Sequence, residues 1–595
     1  MKSAFYIALG MILAWAAAPA ASQGDVPPAV RAAAGDRAEI DATVRAFITP
    51  QAILWKSDDS GETISGASVL LKRGTRQPAT VRRGLCTLTS QPGKPAPAIL
   101  FDFGIELQGG LQLVLGMSDG KSPVRFRIRL GESVSEAMSE IGGVGGATND
   151  HAMRDLVVEA PWLGSVEVGN SGFRFARIDL VDGERTVLLK EVHAILAYRD
   201  IPYLGWFRCS DERLNRIWRT GAYTVHLNMQ HYLWDGIKRD RLVWIGDMHP
   251  ETMTICAVFG ANPVVPASLD YARDVFPLPG WMNGISSYSM WWVLIHHQWY
   301  LHHGDRAYLE EQKAYLVPLL GQLMAKVNER NEEQLDGRFL DWPSSENEPA
   351  IHAGLQSLLA MTMDAGAELC DTLGEGKTAA ECRGSAGRLR RHVPDPNNSK
   401  QAAALMALAG LAPAAEMNET YLAVDGAKRM STFYGYYILE AMAKAGNYQG
   451  AIDCIRQYWG GMLDLGATTF WEDFDIEWMD NAGRIDQFVP EGKKDIHADF
   501  GNYCYKGLRH SLCHGWASGP TAWLSEHVLG IEVLEPGCKR VRIRPQLADL
   551  AWAEGGLPTP RGVVRVRHDK RPDGSVATSY TAPDGVEVLI DGARR

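Results

Sequence analysis

Two short stretches gather the side chains that could do chemistry. YLWDGIKRDRLVWIGDMHPE, from Tyr232 to Glu251, sets Asp235, Asp240, Asp247 and Glu251 beside Trp234 and Trp244. GATTFWEDFDIEW, from Gly466 to Trp478, sets Glu472, Asp473, Asp475 and Glu477 beside Trp471 and Trp478. Facing carboxylates can give a proton to a departing oxygen and draw one from an attacking water, while indole faces stack on the apolar faces of sugar rings. Such a set would cleave a glycosidic bond. The composition equally fits charged helical faces turned to water, with Arg239 and Arg241 neutralising acidic neighbours. Asp247 lies four residues before Glu251 and seven after Asp240, so the three are expected to share one helical face. Asp235 in Trp-Asp-Gly also suits an Asx turn, and within the second stretch nothing in the residues themselves singles out one carboxylate.

The elements that must position these stretches follow from the hydrophobic period. From Gln23 to about Tyr203, short alternating runs such as AILFDFG, VRFRIRLGES and FRFARIDLVDG are broken by Gly, Pro, Asp and Asn. Period two with frequent turns predicts antiparallel strands, most simply a β-sandwich over residues 23–203, with no catalytic cluster of its own. From Ser210 the spacing changes to three and four, with Ser210 as the expected N-cap of the first helix. About ten to twelve helices are expected up to Gly530, which suits an α/α toroid over residues 204–530 better than a simple bundle. After Ile531, KRVRIRPQL, GVVRVRHDK, SVATSYTA and GVEVLIDG return to alternation, predicting a second β-sandwich over residues 531–595.

Bulk properties narrow the partners. The net charge of -11 and the lack of a clustered basic run argue against nucleic acid. The opening MKSAFYIALGMILAWAAAPAAS has one Lys, an apolar run and small residues, so residues 1–22 are expected to be a signal peptide. That run is short for a membrane span, and none comparable follows, so an exported chain, periplasmic or extracellular, is expected, with no span in its mature form. The nine cysteines contain no CxxC pair; Cys370 with Cys382 is weighed as a local bridge, and the odd total leaves a thiol unpaired. HHQWYLHHG, His296 to Gly304, lacks carboxylates at ligand spacing and reads as a helix end, so no metal is expected there.

DGIKRDRLVWIGD resembles the segment that α-L-rhamnosidases of glycoside hydrolase family 78 carry, in which Asp, a general-acid Glu and a further Asp surround an Arg-Leu-Gly-Trp core. Asp235, Asp240 and Asp247 stand at its intervals of five and seven, and Arg239, Arg241, Leu242, Trp244 and Gly246 also fit. GATTFWED resembles the family segment whose Glu is the general base, which maps onto Glu472. SLCHGWASGPTAWL is similar to the segment with a sugar-site His, mapping onto His514, and FLDWPS to an Asp-Trp loop at the same pocket, mapping onto Asp341 and Trp342. Without the resemblance, His514 would be taken for an ordinary half-buried His. The resemblance implies an (α/α)6 barrel flanked by N-terminal and C-terminal β-sandwich domains, and cofactor-free hydrolysis of terminal α-L-rhamnosides with inversion. Asp240 would be the acid and Glu472 the base, with Asp235, Arg239, Trp244, Asp247, Asp341, Trp342 and His514 holding the sugar. The sequence departs from the pattern in two places: Asp240 stands where the family has Glu, and DGIK where it has Cys-Pro-Gln. A long loop, FDIEWMDNAGRIDQFVPEGKKDIHADFGNY, also follows Glu472 and is expected to reshape the leaving-group side. A toroid hydrolase for another terminal sugar and a non-catalytic glycan-binding protein on the same scaffold remain the alternatives.

Overall fold

The computed structural model describes residues 27–590, apart from 38–39, 143–144 and 504. The expected signal peptide and Cys504 lie outside these residues. The chain divides into one compact unit up to Ala42 and a second from Thr43 onward. In the first, helix Pro28–Ala34 leads into a 3-10 turn, Gly35–Arg37, where strands were expected from residue 23. Proline in its first turn and the alanine-rich run PAVRAAA favour helix over strand.

In the second unit, nine strands between Val44 and Tyr198 form a branched antiparallel sheet. The long strand Ala98–Leu115 pairs with Ser165–Leu180 on one side and is bent by register shifts after Asp102 and Gly109. Those bulges let its first part pair with Ala52–Lys56 and its second with Thr186–Tyr198. The apolar side chains of these strands meet in one core that includes Phe101, Phe126 and Phe173.

Twelve helical segments follow among the described residues: α1 Glu212–Asn228, α2 Ile245–Val258, α3 Val264–Val275, α4 Ser286–His303, α5 Arg306–Met324, α6 Glu348–Thr372, α7 Gly376–Leu389, α8 Lys400–Ala409, α9 Ala414–Met417, α10 Gly435–Lys444, α11 Tyr448–Asp464 and α12 Gly519–Trp523. Each even-numbered helix packs on the next, and α12 returns to α2. The ring closes an (α/α)6 barrel, with the odd-numbered helices outside it. The first helix is capped by Asp211, whose carboxylate accepts from Arg213 N and Leu214 N, and not by Ser210. Ser210 Oγ is taken by the amide of Ala551 instead.

Beside a two-stranded pairing of Ala482–Gly483 with Lys494–Asp495, two small sheets complete the unit. One joins Trp552–Thr559, Gly562–Lys570 and Val576–Thr581 to Trp206–Cys209, a strand from before the barrel; the other joins Ile531–Val533, Arg540–Ile543 and Glu587–Ile590. Ile543, Leu557 and Val564 from these strands belong to the same apolar core as the barrel helices. Cys370 and Cys382 are both buried and free, so the bridge weighed between them is not formed.

Candidate active site

The inner helices α2, α4, α6, α10 and α12 begin just after Trp244, Ile285, Trp342, Thr432 and His514, so their N-terminal ends surround one mouth of the barrel. Helix N-termini carry partial positive charge and unsatisfied amides, which favours carboxylates there. Backbone pairing joins the loops at this mouth. Gly515 N donates to Asp235 O (2.7 Å), His514 N to Phe470 O (2.9 Å), and Glu472 N to Ser511 O (2.9 Å). The two acidic stretches, some 230 residues apart in sequence, thereby face a single pocket of about 150 Å³. Asp235, Arg239, Asp240, Trp244, Asp247, Trp342, Glu472 and His514 all line it.

Arg239 links the two stretches: its Nε donates to Asp240 Oδ1 at 2.8 Å and its Nη2 lies 3.9 Å from Glu472 Oε1. Burial opposes the charge on Asp240, but Arg239 and His151 outweigh it and hold the carboxyl below the usual range. Glu472 is buried, and its Oε2 accepts from Ser511 N at 3.1 Å. His514 Nε2 lies 3.0 Å from Asp247 Oδ1, and its Nδ1 is 4.0 Å from Glu472 Oε1. Burial works against an imidazolium there, yet Glu472, Asp247 and Asp235 prevail and raise His514 to about 9. Burial likewise raises Asp247.

The other assignments divide. Asp235 is buried with both oxygens occupied, Oδ2 by Asp240 N at 2.7 Å and Oδ1 by Leu242 N at 2.9 Å, so its carboxylate clamps the loop five and seven residues on and does not form the short Asx turn that Trp-Asp-Gly allowed. Asp341 stands behind the wall. Its carboxylate accepts from Trp342 N and Ser431 Oγ, capping the turn that turns Trp342 toward the pocket, and burial raises its pKa to about 7. Asp240, Asp247 and Glu251 do not share a helical face, because α2 begins only at Ile245 and Asp240 belongs to the loop before it. Glu251 packs behind Gly515, with no hydrogen bond to either oxygen among the described residues, and burial raises its pKa well above the ordinary carboxylate value.

Several lining residues had no sequence signal: Ile285, Tyr288 and Tyr505. Tyr288 reaches Asp247 Oδ2 with its hydroxyl (3.4 Å), and a Cβ on Gly246 would come within 2.3 Å of its ring. Gly246 is thus needed for this close approach. Trp516 donates its indole N–H to Glu472 O at 2.9 Å. The N-terminal strands, expected to carry no catalytic cluster of their own, press against the loop. Lys238, the last residue of the aberrant DGIK, is fully buried with its ammonium 3.0 Å from Glu132 and 3.3 Å from Glu136. From the same region His151 Nε2 comes within 3.1 Å of Asp240 Oδ1. A larger cavity of about 310 Å³, between inner helices and the C-terminal strands, holds none of the carboxylates that the sequence singled out.

A closed helical toroid with paired carboxylates and aromatic walls at its mouth is the architecture of the six-hairpin glycosidases. Residues 202–528 match the bacterial alpha-L-rhamnosidase 6 hairpin glycosidase domain, and residues 530–591 match the bacterial alpha-L-rhamnosidase C-terminal domain. The chain belongs to the bacterial α-L-rhamnosidase family. An α-L-rhamnosidase of Alteromonas sp. (strain LOR) is 24% identical over 460 residues, 69% of this chain and 47% of that protein, so the chain spans about half the length of this curated relative. The fold is also that of the family 78 rhamnosidase of Bacillus sp. GL1 (TM-score 0.69, 21% identity, 84% of this chain and 53% of that one). It is shared too by the Klebsiella oxytoca rhamnosidase solved with rhamnose bound (TM-score 0.65, 19% identity, 81% and 96%).

Proposed function

We propose that this chain is an exported hydrolase that releases terminal α-L-rhamnose from glycosides or polysaccharides with inversion at the anomeric carbon. The observation that carries this reading is the meeting of Asp240 and Glu472 in one pocket, bridged by Arg239. An inverting enzyme needs an acid on the leaving-group side and a base on the water side of one ring. Asp240 gives its proton to the glycosidic oxygen. Glu472, held by the Ser511 amide, takes a proton from the water that attacks the anomeric carbon. Asp247, Arg239 and the His514 imidazolium bind hydroxyls, while Trp244, Trp342 and Trp516 meet apolar ring faces and the C6 methyl. The pocket's small volume suits one terminal sugar rather than the interior of a polymer. The opening apolar run of the sequence supports export.

The test is a panel of nitrophenyl glycosides of different sugars. Release of nitrophenol from the α-L-rhamnoside is expected, with Glu472→Gln slower by about 100-fold or more. Rapid turnover by Glu472→Gln would remove it from the role of base, and preference for another sugar would replace rhamnose as the substrate.

A further inference from the structure

A general acid works from its protonated form, yet the groups around Asp240 favour its charged one. Both close contacts fall on Oδ1: Arg239 Nε at 2.8 Å and His151 Nε2 at 3.1 Å. His151 comes from the N-terminal strands, in the connection between Val124–Gly131 and Asp155–Ala160, and its side chain is 25% exposed. Two further charged groups face its Nε2. Asp150 Oδ2 is 3.7 Å away and Arg509 Nη2 is 3.3 Å away, while Arg509 Nε pairs with Asp150 at 3.0 Å. The imidazole therefore sits between two carboxylates, each shared with an arginine, and has access to solvent.

We propose that His151 supplies the proton that Asp240 delivers. This inference rests on the function proposed above, and His151 acts through Asp240, as a positioning and proton-holding residue, without contact to the sugar. The proton to be transferred lies along the 3.1 Å contact between His151 Nε2 and Asp240 Oδ1. A bound sugar displaces water from the pocket, and loss of solvent favours the neutral pair, so the proton crosses from His151 to the Asp240 carboxylate. The carboxylic acid then protonates the glycosidic oxygen as the bond to the anomeric carbon breaks and leaves its electron pair on that oxygen. Water bonds to the anomeric carbon and yields a proton to Glu472. Afterwards His151 regains a proton from bulk water and Glu472 releases one, so one water is consumed per bond cleaved and no net charge is made.

The experiment compares the wild-type chain with His151→Asn and His151→Gln on two substrates. The leaving group of a dinitrophenyl α-L-rhamnoside departs without protonation, whereas that of an alkyl α-L-rhamnoside requires it. On the alkyl substrate kcat is expected to fall about 100-fold in both variants, while the dinitrophenyl substrate stays within about threefold and reports that the variants are folded. The donor must be protonated, so its loss of activity lies on the basic limb of the pH profile. With His151 gone, only Asp240 remains, held low by Arg239, and that limb moves to lower pH. Equal losses on both substrates, loss on neither, or an unmoved basic limb would each overturn the role of His151. A wild-type chain inert on both substrates would instead overturn the hydrolase reading, and this inference with it.

Discussion

Between two buried carboxylates stands the imidazole of His514, 3.0 Å from Asp247 and 4.0 Å from Glu472. Its pKa in the folded chain, about 9, exceeds the ordinary value of 6.5. A raised histidine stabilises the fold fully below the unfolded pKa and loses that contribution as pH rises through the folded one. Thermal midpoints of the wild-type chain are therefore expected to decline between pH 7 and 9.5, and His514→Gln to remove that part of the decline; parallel curves for the two would contradict it. At this level the sequence discriminated poorly. Asp235 and Asp341 matched the family pattern and Asp240 stood in place of its Glu, but side-chain direction follows from tertiary pairing, and the first two carboxylates are taken up by backbone amides and a serine. His151 carried no signal, because it lies 89 positions before Asp240 and only the fold brings them together.

The loop between α1 and α2 is held from outside the barrel. Lys238 is buried among Glu132, Glu136 and the carbonyls of Leu508 and His510. Removing its ammonium leaves two buried carboxylates without that partner, so Lys238→Met is expected to destabilise the chain by about 3–5 kcal/mol, seen as a lower denaturant midpoint. An unchanged midpoint would show that the carboxylates are neutralised in another way. Gly246→Ala places a methyl against the Tyr288 ring and is expected to cost about 1–3 kcal/mol, with slower turnover as Asp247 shifts. Helix α1 was legible from its spacing of three and four. The start of α2 was not, since all of its residues are buried and no polar face marks where the helix begins. The strand Trp206–Cys209 escaped for a different reason: four residues give too little alternation, and its partner, Trp552–Thr559, lies far along the chain.

Across the whole molecule, the alternation of β, α and β segments read from the sequence corresponds to the observed architecture, because each period change coincides with a change of packing layer. The packing itself is less divisible than that pattern. The C-terminal strands share one core with the barrel, and Trp206–Cys209, from the segment that precedes the barrel, completes their sheet. A chain ending at residue 530 is thus expected to be insoluble or to lose its cooperative thermal transition, as followed by circular dichroism; a soluble, cooperatively melting fragment would contradict the shared core. Under the proposed function, with Asp240 and Glu472 transferring protons on opposite sides of one ring, the stereochemistry of the product is the most direct test. Proton NMR of freshly initiated hydrolysis of an α-L-rhamnoside is expected to show β-L-rhamnose first, with the α anomer growing in only by mutarotation. Initial appearance of α-L-rhamnose would contradict the inverting pair.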